Sequence, residues 1–127
     1  MNIDYLEYFK IPYKNPYNQS LNCYELVKYF YQKNMDIDLP NYGEFSEDKS
    51  QTDKIIKENS KSWIKLEKPE PYCVVVFYSP FPYVAHMGIV LEDCKRFLHT
   101  IQKKNTCIET LNHRYWVNQI AGYYKWI

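Results

Sequence analysis

The sequence predicts an α+β fold, with helices in the first half of the chain packed on an antiparallel sheet formed by the second half. Apolar residues recur at intervals of three and four before Pro69, and short β-branched and aromatic runs separated by turns come after it. Helices and strands do not alternate, which argues against a doubly wound parallel sheet. We expect one domain over residues 1–127, mainly helical over 1–68 and mainly sheet over 69–127.

The helical part contains one strongly amphipathic pattern and one weak one. The strong pattern predicts a helix that starts at Cys23, with Ser20 or Asn22 as its N-cap, and ends near Asn34. Its apolar face is formed by Cys23, Leu26, Val27, Phe30 and Tyr31. The weak pattern, over residues 46–63, is polar with a narrow apolar stripe and predicts a surface helix that covers one edge of the domain.

The sheet part contains about five predicted strands. They cover residues 72–78, 84–91, 97–101, 106–111 and 120–127. The second and third strands are expected to form a hairpin that turns at residues 92–95, because that segment is polar. In such a hairpin His86 and His99 can lie near one another on the same face.

Composition excludes several classes of function. The net charge is +1 and the basic clusters are short, which argues against nucleic acid or an anionic membrane as partner. The longest apolar runs fall short of a transmembrane helix, and the N-terminus lacks the features of a secretory signal, so we expect synthesis in the cytoplasm without membrane insertion. Four widely spaced cysteines without a CxxC pair indicate neither a zinc ribbon nor a dense disulfide scaffold.

The side chains best suited to catalysis are a cysteine at a predicted helix start and two histidines downstream of it. The unpaired N–H groups of a helix N-terminus favour a thiolate, so we expect a lowered pKa for Cys23. His86 is the candidate base, and His99 is the candidate group that orients it. Two alternatives stay open, namely buried structural side chains and a metal site built on Cys23, His86 and His99.

An ordered set of motifs resembles the NlpC/P60 family, in particular its phage tail-assembly branch. The nucleophile region matches as Asn-Cys-Tyr-Glu-Leu-Val over 22–27, followed by Ile-Asp-Leu-Pro-Asn-Tyr over 37–42. Upstream lies Ile-Pro-Tyr at 11–13, and downstream lie Val-Val-Val-Phe at 74–77, His-Met-Gly-Ile-Val-Leu at 86–91 and Arg-Phe-Leu-His at 96–99. Trp116 and Gly-Tyr-Tyr-Lys at 122–125 complete the set, so the resemblance spans about residues 11–127.

The resemblance implies roles for individual residues and a papain-like fold. Cys23 would be the nucleophile, His86 the general base and acid, and His99 the third polar member of the site. A tyrosine hydroxyl upstream of the nucleophile would help to bind the oxyanion, with Tyr13 as the best match and Tyr17 as the second. No metal or organic cofactor is required by this chemistry.

The resemblance also implies a substrate and a setting. It predicts a cysteine peptidase or amidase that hydrolyses an amide bond in peptidoglycan stem peptides, as part of a phage or phage-like tail with other tail proteins as partners. Something other than a signal peptide would then carry the chain to the periplasm or cell wall. The alternative is a tail-assembly protein that keeps the fold with weak or no activity, since Asn22 and Glu25 depart from the family pattern. Cys94 and His113 are predicted to be surface positions without function.

Overall fold

The computed structural model describes residues 2–11, 23–42, 49–101 and 105–126. Its centre is a six-stranded antiparallel sheet with the strand order β1-β6-β2-β3-β4-β5. The strands are β1 (Trp63–Leu66), β2 (Val74–Tyr78), β3 (Val84–Val90), β4 (Arg96–Ile101), β5 (Asn105–Thr110) and β6 (Ile120–Trp126). The predicted α+β class is therefore confirmed.

In the described ranges, two α-helices and three short 3-10 helices accompany the sheet. The α-helices are α1 (Cys23–Met35) and α2 (Lys49–Asn59), and the 3-10 helices are Tyr5–Lys10, Ser60–Ser62 and Val117–Gln119. All five residues predicted for the apolar face of α1 are buried, and the helix ends one residue after the predicted Asn34. Over the described residues, no helix is both long and apolar enough to cross a bilayer.

The two faces of the sheet bury separate apolar clusters. Alternation along β2 sends Val74 and Val76 toward α1, while Val75 and Phe77 point to the opposite face. The opposite face is covered by Trp116 and its neighbours in the connection between β5 and β6. A strand buried on both sides explains why β2 reads as a continuous apolar run rather than as an alternating one.

The sheet has one strand more than the sequence predicts. Residues 63–66 form β1, which pairs with β6 at the far end of the chain. The predicted surface helix over 46–63 is correspondingly shorter, because α2 ends at Asn59 and a 3-10 turn leads into β1. The start of that predicted helix and the two N-cap candidates, Ser20 and Asn22, lie outside the described residues.

Strand β3 has two features that bear on the site it carries. Its register with β2 is irregular, since Phe77 pairs with His86 and Tyr78 with Val84. Bulges of this kind redirect side chains and occur next to active sites. At Gly88 a Cβ atom would stand 2.8 Å from the carbonyl oxygen of Leu98, so the absence of a side chain allows β4 to approach closely.

Candidate active site

Cys23 is the first residue of α1, and its side chain is almost fully buried, with 6% exposed. Burial is the largest influence on its thiol and raises the pKa to about 11. Hydrogen bonds from backbone N–H groups, including those of Met87 and Tyr24, and the positive charge of Lys49 act in the opposite direction. Cys23 lies at the start of the described part of α1, as the sequence predicts, and residues 21 and 22 before it lie outside the described residues.

The prediction that the pKa of Cys23 is lowered is wrong for the protein without substrate. A helix N-terminus does favour the thiolate, as the contributions of the N–H groups show. Packing of α1 against β3 removes the sulfur from water, however, and this desolvation outweighs the favourable contacts. The sequence pattern predicts where the helix starts, but it does not predict how deeply that start is buried.

His86 and His99 lie close together on neighbouring strands, as the predicted hairpin requires. β3 and β4 pair antiparallel, with Ile89 opposite Leu98. Nε2 of His86 lies 2.8 Å from Nδ1 of His99, within hydrogen-bond distance. Since this contact occupies Nε2 of His86, Nδ1 is the ring nitrogen left for a thiol.

His86 and His99 form the start of a hydrogen-bonded row that continues to a carboxylate on β5. Nε2 of His99 lies 2.6 Å from Oε2 of Glu109, and the indole Nε1–H of Trp116 donates to the same oxygen at 3.0 Å. Sequence reasoning missed Glu109. The available signal was alternation on β5, which places Glu109 on the same face as Cys107, the residue paired with His99.

Both imidazoles are enclosed by aromatic rings. Trp116 stacks on His86 with ring centroids 5.5 Å apart, and its edge meets His99 at 5.1 Å. Phe77 and Phe97 pack against His86 and His99, respectively. Burial, together with the neighbouring His99 and Lys49, lowers the pKa of His86 well below its usual range, so its neutral form is favoured at neutral pH.

A cavity of about 400 Å³ joins the thiol to the histidine row. Cys23, His86 and Glu109 contribute to its wall, as do Lys49 and His113. His113 is exposed, as predicted, and lies at the wall of this cavity; that it has no function stays a prediction. Helix α2 does more than cover an edge, since it brings Lys49 to the same wall.

The sequence left open a metal site built on Cys23, His86 and His99. The structure instead brings together a different group of potential metal ligands. Within the described ranges, the group close enough to share an ion is His99, Cys107 and Glu109, whose donor atoms lie within 4.8 Å of one another. Cys23 and His86 do not belong to that group. The two oxyanion candidates, Tyr13 and Tyr17, lie outside the described residues.

Comparisons with known proteins give a family and a fold. Residues 12–125 match the sequence model of the NlpC/P60 family. A crystal structure described as similar to a lipoprotein of the NLP/P60 family, from Staphylococcus aureus subsp. aureus Mu50, superposes with a TM-score of 0.65 at 25% sequence identity. The match covers 96% of this chain and 38% of the staphylococcal chain. No curated protein matches the chain at a significant level.

Proposed function

The chain belongs to the NlpC/P60 family, and from this premise we propose that it is a cysteine peptidase or amidase acting on an amide bond in peptidoglycan stem peptides. One observation carries the proposal. The cavity that Cys23 lines at the start of α1 is also lined by His86, whose far ring nitrogen contacts His99. A thiol, a base and a group that orients the base are the parts of a cysteine hydrolase.

In each of the two stages, one proton passes through His86. As Sγ of Cys23 attacks the amide carbonyl carbon, the thiol proton passes to Nδ1 of His86. His86 then gives this proton to the leaving amine, the C–N bond breaks, and a thioester to Cys23 remains. Water then attacks the thioester and gives a proton to His86, the C–S bond breaks to release the carboxylic acid, and His86 returns the proton to Sγ of Cys23.

The helix start supports stabilisation of the tetrahedral intermediate. The backbone N–H groups of Cys23 and Tyr24 already interact with the sulfur, so an oxyanion formed two bonds away from it, on the attacked carbon, meets donors that are already in place. Lys49 adds a positive charge at the same wall. A hydroxyl from Tyr13 or Tyr17 would complete this arrangement.

We place the activity at the cell wall, delivered by a phage-like tail. Support for the tail setting comes from the sequence motifs around Cys23, whereas the solved relative is described as similar to a bacterial lipoprotein. In the phage-tail setting and in the bacterial setting, the protein would meet the same substrate. Binding to purified tail proteins would support the tail setting, and binding to intact peptidoglycan alone would support the bacterial one.

A second candidate function is a structural protein that keeps the fold without turnover. The observation that favours it is the burial of Cys23, which raises the pKa of the thiol to about 11. A nucleophile held as a thiol depends on its base during attack. If His86 does not take the proton, the site is inert.

Digestion of purified peptidoglycan, with the released fragments identified by mass, decides between the two. Hydrolysis of a stem-peptide amide yields a new amine and a new carboxylate and leaves the sugars intact. We expect such fragments from the wild type and none from Cys23→Ala. A wild type that releases nothing supports the structural protein, and equal release by Cys23→Ala rules out Cys23 as nucleophile.

Cys94→Asn is the matched control for a lost thiol. Cys94 lies in the turn between β3 and β4 and has a φ of 58°, a conformation that asparagine tolerates well. It is a free, partly exposed cysteine outside the cavity wall. We expect this variant to release fragments at the wild-type rate.

A further inference from the structure

We propose that Glu109 is a positioning residue that fixes the tautomers of both active-site histidines, so that Nδ1 of His86 presents a lone pair to Cys23. The inference rests on the proposed function for its importance. The geometric basis of the inference does not depend on that function, because it consists of the contacts of Glu109 Oε2 with His99 and Trp116.

Trp116 sets the first hydrogen-bond direction, because an indole Nε1–H can only donate. Oε2 of Glu109 therefore accepts from Trp116 at 3.0 Å. The same oxygen lies 2.6 Å from Nε2 of His99. An ionised carboxylate is an acceptor only, so Nε2 of His99 carries the proton of that bond.

The direction of one bond sets the direction of the next. A neutral imidazole with its proton on Nε2 is an acceptor at Nδ1. Nδ1 of His99 faces Nε2 of His86 at 2.8 Å, so His86 must donate from Nε2. Neutral His86 then has a lone pair on Nδ1, which is the form that can accept the thiol proton.

The opposite arrangement would disable the base. If His99 had its proton on Nδ1, it would donate toward His86, and Nε2 of His86 would become the acceptor. The proton of His86 would then lie on Nδ1, the nitrogen left for the thiol. Glu109 prevents this arrangement because its carboxylate requires a donor at Nε2 of His99.

The carboxylate also balances charge during the reaction. When His86 takes the thiol proton, a positive charge forms in a buried position with 6% of the residue exposed. Glu109 supplies a negative charge one imidazole away through two short contacts. Among the described residues, the other titratable side chains at the cavity wall or beside this row are Cys23, Lys49, Cys107, His113 and Tyr115, and none of them is a carboxylate.

The fold holds the carboxylate in place from two sides. Pairing of β4 with β5 sets His99 opposite Cys107 and therefore beside Glu109 on the same face. The ring of Trp116 stacks on His86 while its N–H holds Glu109. The two imidazoles, the carboxylate and the indole are thus joined in one set of hydrogen bonds and ring contacts.

The experiment is nitrogen-15 NMR of histidine-labelled protein at neutral pH, with signals assigned from single histidine variants. In the wild type we expect both His86 and His99 to be protonated at Nε2 and unprotonated at Nδ1. A proton on Nδ1 of His99, whether the ring is neutral or doubly protonated, overturns the proposal. This measurement needs no substitution at Glu109 and no turnover.

Glu109→Gln tests the cause. The amide can donate as well as accept, so we expect signals from Nδ1-protonated forms of both histidines. We also expect release of peptidoglycan fragments to slow by about 10²-fold, the lower end for lost acid–base function. Spectra that superimpose on the wild type overturn the proposal. If the tautomers are as expected but wild type releases no fragments, the peptidase assignment fails and the role of Glu109 stands.

Glu92→Gln is the matched control. Oε2 of Glu92 also accepts two side-chain hydrogen bonds, from the hydroxyls of Tyr5 and Tyr72, at the opposite end of the β3–β4 hairpin. We expect its histidine spectrum and its release rate to equal those of the wild type. A change as large as that in Glu109→Gln would show a general structural effect and overturn the proposal.

Discussion

At Cys23 and His86, burial acts on two ionisable groups in opposite directions. It raises the pKa of the thiol to about 11 and lowers the pKa of the imidazole, because water is withdrawn from the charged form of each. The resting pair is therefore a neutral thiol and a neutral imidazole on the wall of the same cavity. At pH 7 only on the order of one thiol in 10⁴ would be ionised, so attack depends on proton transfer to His86.

The raised pKa predicts how Cys23 reacts with a small alkylating reagent. Because the thiolate is the reactive form, the rate of modification by iodoacetamide should keep rising above pH 8.5 and level off only near pH 11. The measurement is the mass of the peptide that contains Cys23 after timed exposure across this pH range. A rate that levels off below pH 8 contradicts the account.

Lys49 is the side chain whose charge most directly favours the thiolate. Its positive charge lowers the pKa of Cys23, so Lys49→Gln should raise that pKa and slow alkylation at pH 9, by roughly two- to fivefold for a partly screened charge. Lys54→Gln on the same helix is the control, since Lys54 is well exposed and pairs with Glu58. Equal rates in the two variants would show that the charge of Lys49 is not felt at the sulfur.

At the scale of elements, the site depends on how closely β3 and β4 approach. His86 and Gly88 lie on β3, and the pair Ile89–Leu98 joins β3 to the strand that carries His99. A Cβ on Gly88 would also stand 3.1 Å from Cβ of His99. Close approach at this glycine therefore sets the distance between the two imidazoles.

Gly88→Ala should destabilise the protein and separate the two histidines. The new methyl group meets a backbone carbonyl that cannot move alone, so we expect a loss of about 1–3 kcal/mol in the free energy of unfolding. Urea unfolding measures the loss, and fragment release should fall with it.

Gly122→Ala on β6 is the control for Gly88→Ala. The nearest atoms to its new Cβ belong to the side chains of Tyr124 and Lys65, at 3.2 and 3.4 Å, and side chains can turn aside. We expect a smaller loss of stability in this variant. If Gly88→Ala is as stable as the wild type, the close approach of β4 is not required.

Across the whole molecule, the sequence was sufficient to predict the elements whose determining interactions are local. The buried face of α1 follows from helical spacing, and strands β2 to β5 follow from short apolar runs bounded by turns. Strand β1 was not predicted, because it is half-exposed, follows a polar helix and pairs only with a strand about 60 residues later in the chain, β6.

The same distinction applies to the site. Cys23, His86 and His99 could be proposed from sequence because each lies in a recognisable local pattern. Glu109 could not, because its role exists only when β4, β5 and the Trp116 connection are assembled. The pKa of Cys23 was misjudged for a related reason, since burial against β3 is a property of packing rather than of helix position.

The central claim is that Cys23 and His86 act as one catalytic unit. The most direct test is a double-mutant cycle on the initial rate of amide-fragment release from peptidoglycan, with Cys23→Ala, His86→Ala and the double variant. We predict that each single variant loses at least about 10³-fold and that the double variant loses no more, because groups that act together are not additive. A wild-type rate in His86→Ala, or losses that multiply in the double variant, would contradict the account.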